Sequence, residues 1–138
     1  MKIVIDSNRI IAAIIRDSTT RQILLNKKFE FIAPSYVFSE ITKYKDYITR
    51  KVNINSEEFD TLLSLIFENI NIIKASEYDN FIKKLKNEVS DSKDIPYLAV
   101  AVFTEAKGIW THDIHFKEQN KIKIFANMDM LKLIKEKN

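Results

Sequence analysis

Four acidic residues stand where an α/β protein places reactive groups. Asp6 directly follows the apolar run Lys2–Ile5, and Asp113 directly follows the apolar segment Ile109–Thr111. Asp94 opens a helical pattern, and Glu40 lies about one and a half turns into another that begins after Pro34. Singly, each has an ordinary use. An aspartate caps a helix or makes a turn, and a glutamate decorates a solvated helix face. Together they crowd negative charge, since a like-charged pair 4 Å apart near a surface repels by about 4 kcal/mol. A cation relieves that repulsion. Oxygen donors in a chain without cysteine select Mg²⁺ or Mn²⁺ over structural zinc. An ion held this way keeps waters and accepts phosphate oxygens, which is the chemistry of metal-assisted phosphodiester hydrolysis.

The surrounding sequence must bring those groups together. Lys2–Ile5, Phe29–Ala33, Ile70–Ile73, Ile109–Thr111 and Lys123–Phe125 read as short strands, apolar on both faces. Helical patterns fill the intervals. One runs from a Ser7 or Asn8 cap through Ile15, and a second over Thr19–Asn26. A third, capped by Ser35, carries Val37, Phe38, Ile41 and Tyr44, and a fourth follows Ser56. Ser76 and Asp79 make a loose capping box for a helix reaching Val89. Asp94 is the expected cap of the next helix, with Pro96 in its first turn, and Gly108 its expected left-handed stop. Met128–Lys135 closes the chain, and Lys132–Asn138 reads as a solvated terminus. Strands buried on both faces and alternating with helices predict a three-layer α/β/α domain around a central parallel sheet of four to five strands. In such sheets ligands bind at the carboxyl ends of the strands, the edge the acidic residues share.

Composition agrees with one domain over residues 1–138. Hydrophobic residues make up 46%, enough for a core, and one glycine and two prolines leave little for long loops. The apolar run at Met1–Asp6 is too short for a signal peptide, and no stretch approaches the ~20 apolar residues that span a bilayer. With no cysteine, these features make a cytoplasmic protein without membrane contact the expectation. The net charge of +3 is compatible with a polyanionic partner.

Val4-Ile5-Asp6-Ser7-Asn8 resembles the opening motif of PIN domains, a hydrophobic strand followed by Asp, a small polar residue and Asn or Ser. Ser39-Glu40-Ile41 is similar to their second-helix acid. Asp91-Ser92-Lys93-Asp94-Ile95-Pro96-Tyr97-Leu98-Ala99-Val100-Ala101 resembles their third motif, and Ile109-Trp110-Thr111-His112-Asp113 their fourth, a strand ending in Thr-x-Asp. His112 departs from the small residue many members carry. The resemblance implies a Mg²⁺- or Mn²⁺-dependent ribonuclease, often a toxin of the VapC type held inactive by an antitoxin, and a homodimer. It makes Asp6, Glu40, Asp94 and Asp113 the catalytic and metal-binding quartet, with Asp91 as the alternative third acid. Asn8 would orient Asp6 or a water, and Thr111 would support Asp113.

Lys43, Lys45, Arg50 and Lys51, interleaved with Tyr44 and Tyr47, are the candidate RNA contacts, against the plainer reading of a solvated helix face. His112 and His115 flank Asp113, and histidine titrates in a useful range, but a surface role, or support of a neighbouring acid, is the reading for both. Two rival functions share the pattern. A receiver or phosphatase needs adjacent acids after strand one, where Ser7 follows Asp6, and another Asp after a central strand, where Lys74-Ala75-Ser76 stands. A non-catalytic PIN-like module binding RNA or protein is the other.

Overall fold

The computed structural model describes residues 1–15 and 17–136. Lys137 and Asn138, the tip of the lysine-rich terminus, lie outside them. Five strands form one sheet, all parallel, in the order β3-β2-β1-β4-β5. They are β1 (Lys2–Ile5), β2 (Glu30–Pro34), β3 (Ile70–Ile73), β4 (Gly108–Trp110) and β5 (Lys123–Phe125). The helices are α1 (Ser7–Ile14), α2 (Ser18–Leu24), α3 (Val37–Lys43), α4 (Lys45–Val52), α5 (Ser56–Phe67), α6 (Ala75–Leu85), α7 (Ile95–Phe103) and α8 (Asn127–Lys135). A 3-10 turn covers Ile114–Glu118. Helices on both faces of a parallel sheet are what doubly buried strands require.

The central strand β1 fixes the plan. Ile3, Val4 and Ile5 are wholly buried and pair with β2 on one side and β4 on the other. The chain first builds outward from β1 through β2 to β3, then returns to lay β4 against the opposite edge of β1. That reversal opens a crevice between the carboxyl ends of β1 and β4. Helix α7, buried without interruption from Ile95 to Ala101, packs on α6 and across β1, β2 and β4. A helix apolar on every side belongs in a core, which explains why its pattern has so little polar face.

Several local expectations are corrected. Gly108 is not a helix stop but a strand residue, and it does not have positive φ. The left-handed residue after α7 is Glu105, at φ 54°. Gly108 serves close strand contact instead. A Cβ there would lie 2.3 Å from the Phe125 ring and 2.8 Å from the Lys123 carbonyl oxygen. Helix α1 begins at Ser7, so neither Ser7 nor Asn8 but Asp6 takes the cap position, and the cap before α3 is Tyr36 rather than Ser35. Asp17 caps α2, its carboxylate accepting from Thr20 N–H. At α6 the reciprocal acid is Glu77, not Asp79: its carboxylate accepts from Lys74 N–H at 3.2 Å. That helix ends at Leu85, and Val89 anchors the following loop in the core.

Asp94 holds the N-cap position of α7 but makes no capping bond with its side chain. Two causes combine. Its backbone is already helical, φ −82° and ψ −22°, whereas a capping residue is normally extended. Pro96 occupies the second helical position and has no N–H to cap. The carboxylate is therefore free for another use.

Candidate active site

Asp6 is the first residue past β1, and its N–H continues the ladder to the Trp110 carbonyl at 3.1 Å. This places it beside the end of β4, where Thr111 and Asp113 follow. Thr111 ties the two acids together. Its hydroxyl donates to Asp6 Oδ2 at 2.7 Å and accepts from Asp113 N–H at 2.9 Å. Asn8, the second residue of α1, donates its amide to the same Asp6 Oδ2 at 2.9 Å and to Thr111 Oγ1 at 3.3 Å. One Asp6 oxygen is thus held twice, while Oδ1 has only Ser7 at 3.5 Å.

The other acids are arranged similarly. Glu40 reaches in from α3, and one of its oxygens accepts a short bond from the Tyr97 hydroxyl on α7. Asp113 Oδ1 accepts from His115 N–H at 2.9 Å and meets His115 Nδ1 at 2.8 Å. Asp94 is more extreme. It is 5% exposed, and its Oδ2 is the one buried side-chain oxygen without a hydrogen-bond partner among the described residues. Leaving a carboxylate oxygen dry and unpaired is costly, and native folds avoid it unless the group has another role. Asp91, by contrast, is partly exposed and folds its carboxylate back onto Lys93 N–H at 3.0 Å.

Burial and crowding show in the acidities. Burial pushes the Asp6 carboxyl up to about 6, helped by the charges of Glu40 and Asp113 and opposed by the Thr111 hydroxyl. Burial pushes Asp94 up to about 7, with Asp113, Asp6 and Asp91 adding repulsion. Glu40 is raised by burial too, against the stabilising bond from Tyr97. Without a cation, then, Asp94 holds a proton about half the time at neutral pH, and Asp6 takes one up in mild acid.

Asp6, Glu40, Asp91, Asp94 and Asp113 all line one open cavity of about 450 Å³. Asn8, Arg9, Tyr44, Tyr47 and Lys93 complete its polar and aromatic wall. Among the described residues no three acidic or imidazole side chains close into a ready-made metal cage. The quartet shares a cavity rather than a tight cluster, and its free oxygens are of the hard type that suits Mg²⁺ or Mn²⁺ with water retained. A separate apolar groove, lined by Leu24, Leu25, Leu62 and Leu65 between α2 and α5, carries no acid.

The basic residues divide. Lys43 lines a smaller cavity of about 170 Å³ that shares Glu40, Tyr44 and Lys93 with the acidic one. Lys45 turns away to Asp60 at 3.0 Å and lies over the Phe59 ring. Arg50 bonds back to the Asp46 carbonyl, and Lys51 to the Tyr47 hydroxyl. His112 borders a different hollow behind Thr111. Sequence reasoning missed Arg9, Lys93 and Tyr97. Tyr97 had a signal: it stands three residues after Asp94 in a buried helix, and a buried phenol needs a partner.

A five-stranded parallel sheet with an acidic cleft at its switch point defines a class of α/β domain, and the comparisons narrow it. A family model for the PIN domain matches residues 4–124. The chain belongs to the PIN-domain family. No curated protein matches the sequence. Solved structures share the fold, two of them as follows. The crystal structure of VapBC2 from Rickettsia felis bound to a DNA fragment from their promoter aligns with a TM-score of 0.66 at 19% identity, over 91% of this chain and 98% of that one. A toxin-antitoxin complex from Klebsiella pneumoniae aligns with a TM-score of 0.65 at 17% identity, over 90% and 96%.

Proposed function

We propose that this PIN domain is a divalent-metal-dependent ribonuclease acting as the toxin of a toxin–antitoxin pair. The observation that carries the chemistry is Asp94 Oδ2, a buried oxygen with no partner among the described residues, on a residue that shares its cavity with four further carboxylates. Asp6, Glu40, Asp94 and Asp113 would hold Mg²⁺ or Mn²⁺, and the position of Asp94 favours it over Asp91 as the third acid. A divalent cation bound there supplies Lewis-acid stabilisation of phosphoryl charge and makes water more acidic. The chain's own residues do the rest. Thr111 and Asn8 hold one oxygen of Asp6, and the other has only Ser7 at 3.5 Å. Tyr97 holds one oxygen of Glu40. Tyr44 and Tyr47 stand exposed on the rim, where unpaired bases can stack, with Lys43 and Lys93 near enough to meet phosphates. The resemblance of all four motifs to those of PIN ribonucleases supports RNA as substrate. The toxin role is supported by the complexes whose fold this chain shares, and an antitoxin is its expected partner.

Incubation of purified protein with single-stranded RNA in Mn²⁺, Mg²⁺ or EDTA tests this. Cleavage should need metal and disappear in Asp94→Asn. RNA binding without cleavage under every metal condition would make the chain a binding module instead.

A further inference from the structure

Arg9 is 7% exposed, yet among the described residues it forms no ion pair. Burying a guanidinium is expensive unless it is matched, so its seat needs explaining. The seat is built from hydroxyl and amide groups. One terminal nitrogen donates to Thr20 Oγ1 on α2 at 3.4 Å. Thr20 is itself fully buried and accepts from Asn127 Nδ2 on α8 at 3.3 Å, while Asn127 Oδ1 accepts from Trp110 Nε1 at 2.8 Å. On its other side, Arg9 Nε donates to Asn8 Oδ1 at 3.0 Å.

That last contact reaches the acids. A side-chain amide has an oxygen at one corner and an NH₂ at the other, with nearly the same shape, so it fits a site either way round. In one orientation Asn8 gives hydrogens to Asp6 Oδ2 and Thr111 Oγ1, as found. In the other it would set its oxygen against the Asp6 carboxylate. Guanidinium N–H groups only donate and never lose their charge at working pH. Arg9 therefore accepts only the oxygen corner of Asn8 beside it. We infer that Arg9 is a positioning residue that fixes the Asn8 amide and, through it, the carboxylate of Asp6. This rests on the reading of Asp6 as a metal-site acid. On this proposal Arg9 acts through Asn8 rather than on the substrate.

Arg9→Met keeps length and burial but removes the donors, and Arg9→Lys restores charge and one donor group. Groups that orient metal-site ligands typically matter about 10–100-fold, so Arg9→Met should lower kcat for Mn²⁺-dependent cleavage of single-stranded RNA by that amount and leave KM within about threefold. In an Asn8→Ala background the same change should alter kcat less than about twofold, because the intermediary is gone. A phosphate contact would instead raise KM equally in both backgrounds, and a purely structural role would lower kcat equally in both; either result overturns the proposal. A metal-free readout separates this from the nuclease reading. Side-chain amide NMR of ¹⁵N-labelled protein should show the Asn8 NH₂ protons exchanging at least about tenfold faster in Arg9→Met, with protection regained in Arg9→Lys. If wild type cleaves no RNA, the nuclease reading fails while the amide exchange still decides the lock. If Arg9→Met does not fold, Arg9→Lys carries the test: it should keep the Asn8 amide protected, and exchange as fast as in a denatured chain would overturn the idea.

Discussion

Asp94 enters the cavity with an oxygen that nothing holds, whereas Asp6 enters with one oxygen held twice. Burial makes both weaker acids than free aspartate, so the metal-free protein should lose stability as they ionise. The sign follows from the shift. Asp6 titrates near 3.8 when unperturbed and at about 6 in the fold, so the folded state holds its proton more tightly. Its contribution is complete below about pH 4 and is lost as pH rises through 6, roughly 3 kcal/mol for a shift of about two units. Asp94 extends the loss toward pH 7. Melting curves in EDTA should therefore fall between pH 5 and pH 8, more steeply for wild type than for Asp6→Asn/Asp94→Asn. Equal slopes would remove the electrostatic account. At pH 8, Asp94→Asn alone should melt about 5 °C higher without metal and bind Mn²⁺ at least about tenfold more weakly, as calorimetry can measure. Tyr97→Phe tests the neighbouring acid. Glu40 would lose the hydroxyl that holds it, and Mn²⁺ affinity should fall by about 10-fold, the low end for an orienting partner, with the fold retained. Unchanged affinity would separate Glu40 from the metal.

At the scale of elements, strand β4 is where a glycine decides packing. Gly108→Ala would drive a methyl group into the Phe125 ring and the Lys123 carbonyl. Urea denaturation should show a loss of roughly 1–3 kcal/mol, the range for overpacking. Phe125→Ala should recover part of it, since the ring is the nearer obstacle, and a fully additive double variant would contradict that. The same residue shows what sequence conveys. The strands were legible because five apolar runs have no polar face, and parallel order followed from the helices between them. The function of Gly108 was not legible, because a glycine after a helix reads as a stop, and only the register of β4 with β5 reveals the ring beside it. The acids at strand ends were legible for the complementary reason: Asp6 and Asp113 directly follow strands, so their edge is fixed once the strands are. Tyr97 and Arg9 were hidden by composition. A tyrosine inside Ile95–Ala101 looks like core, and an arginine in Ser7–Ile14 looks like the solvated side of a helix.

Across the whole molecule, charge is sorted rather than balanced. The net value is +3, yet five acidic residues line one cavity, with Lys93 and Arg9 among their neighbours. On the proposed function, an RNA strand reaching that cavity needs positive charge on the rim, where Lys93 lines both hollows and Lys43 the smaller one. Replacing both with Ala should weaken binding of a short single-stranded RNA and lower the slope of log affinity against log salt by up to about 1.4, or ~0.7 for each phosphate no longer neutralised. Fluorescence anisotropy over a salt series measures this in Asp94→Asn protein, so that cleavage does not intrude. An unchanged slope would move the RNA path off this rim.

The position of β1 at the middle of the sheet has a temporal side as well. Its partner residues on one edge, Glu30 to Ile32, are made soon after it, but those on the other, Gly108 to Trp110, come roughly 100 residues later. At bacterial or eukaryotic synthesis speeds of about 5–20 residues per second, that interval lasts roughly 5–20 s. Throughout it a strand whose Ile3, Val4 and Ile5 are wholly buried in the finished fold has an unfilled edge, open to helpers or to neighbouring chains. The same delay withholds Thr111 and Asp113 from Asp6. A half-made chain is thus adhesive but lacks an assembled acidic cleft, and the arrival of β4 ends both conditions at once.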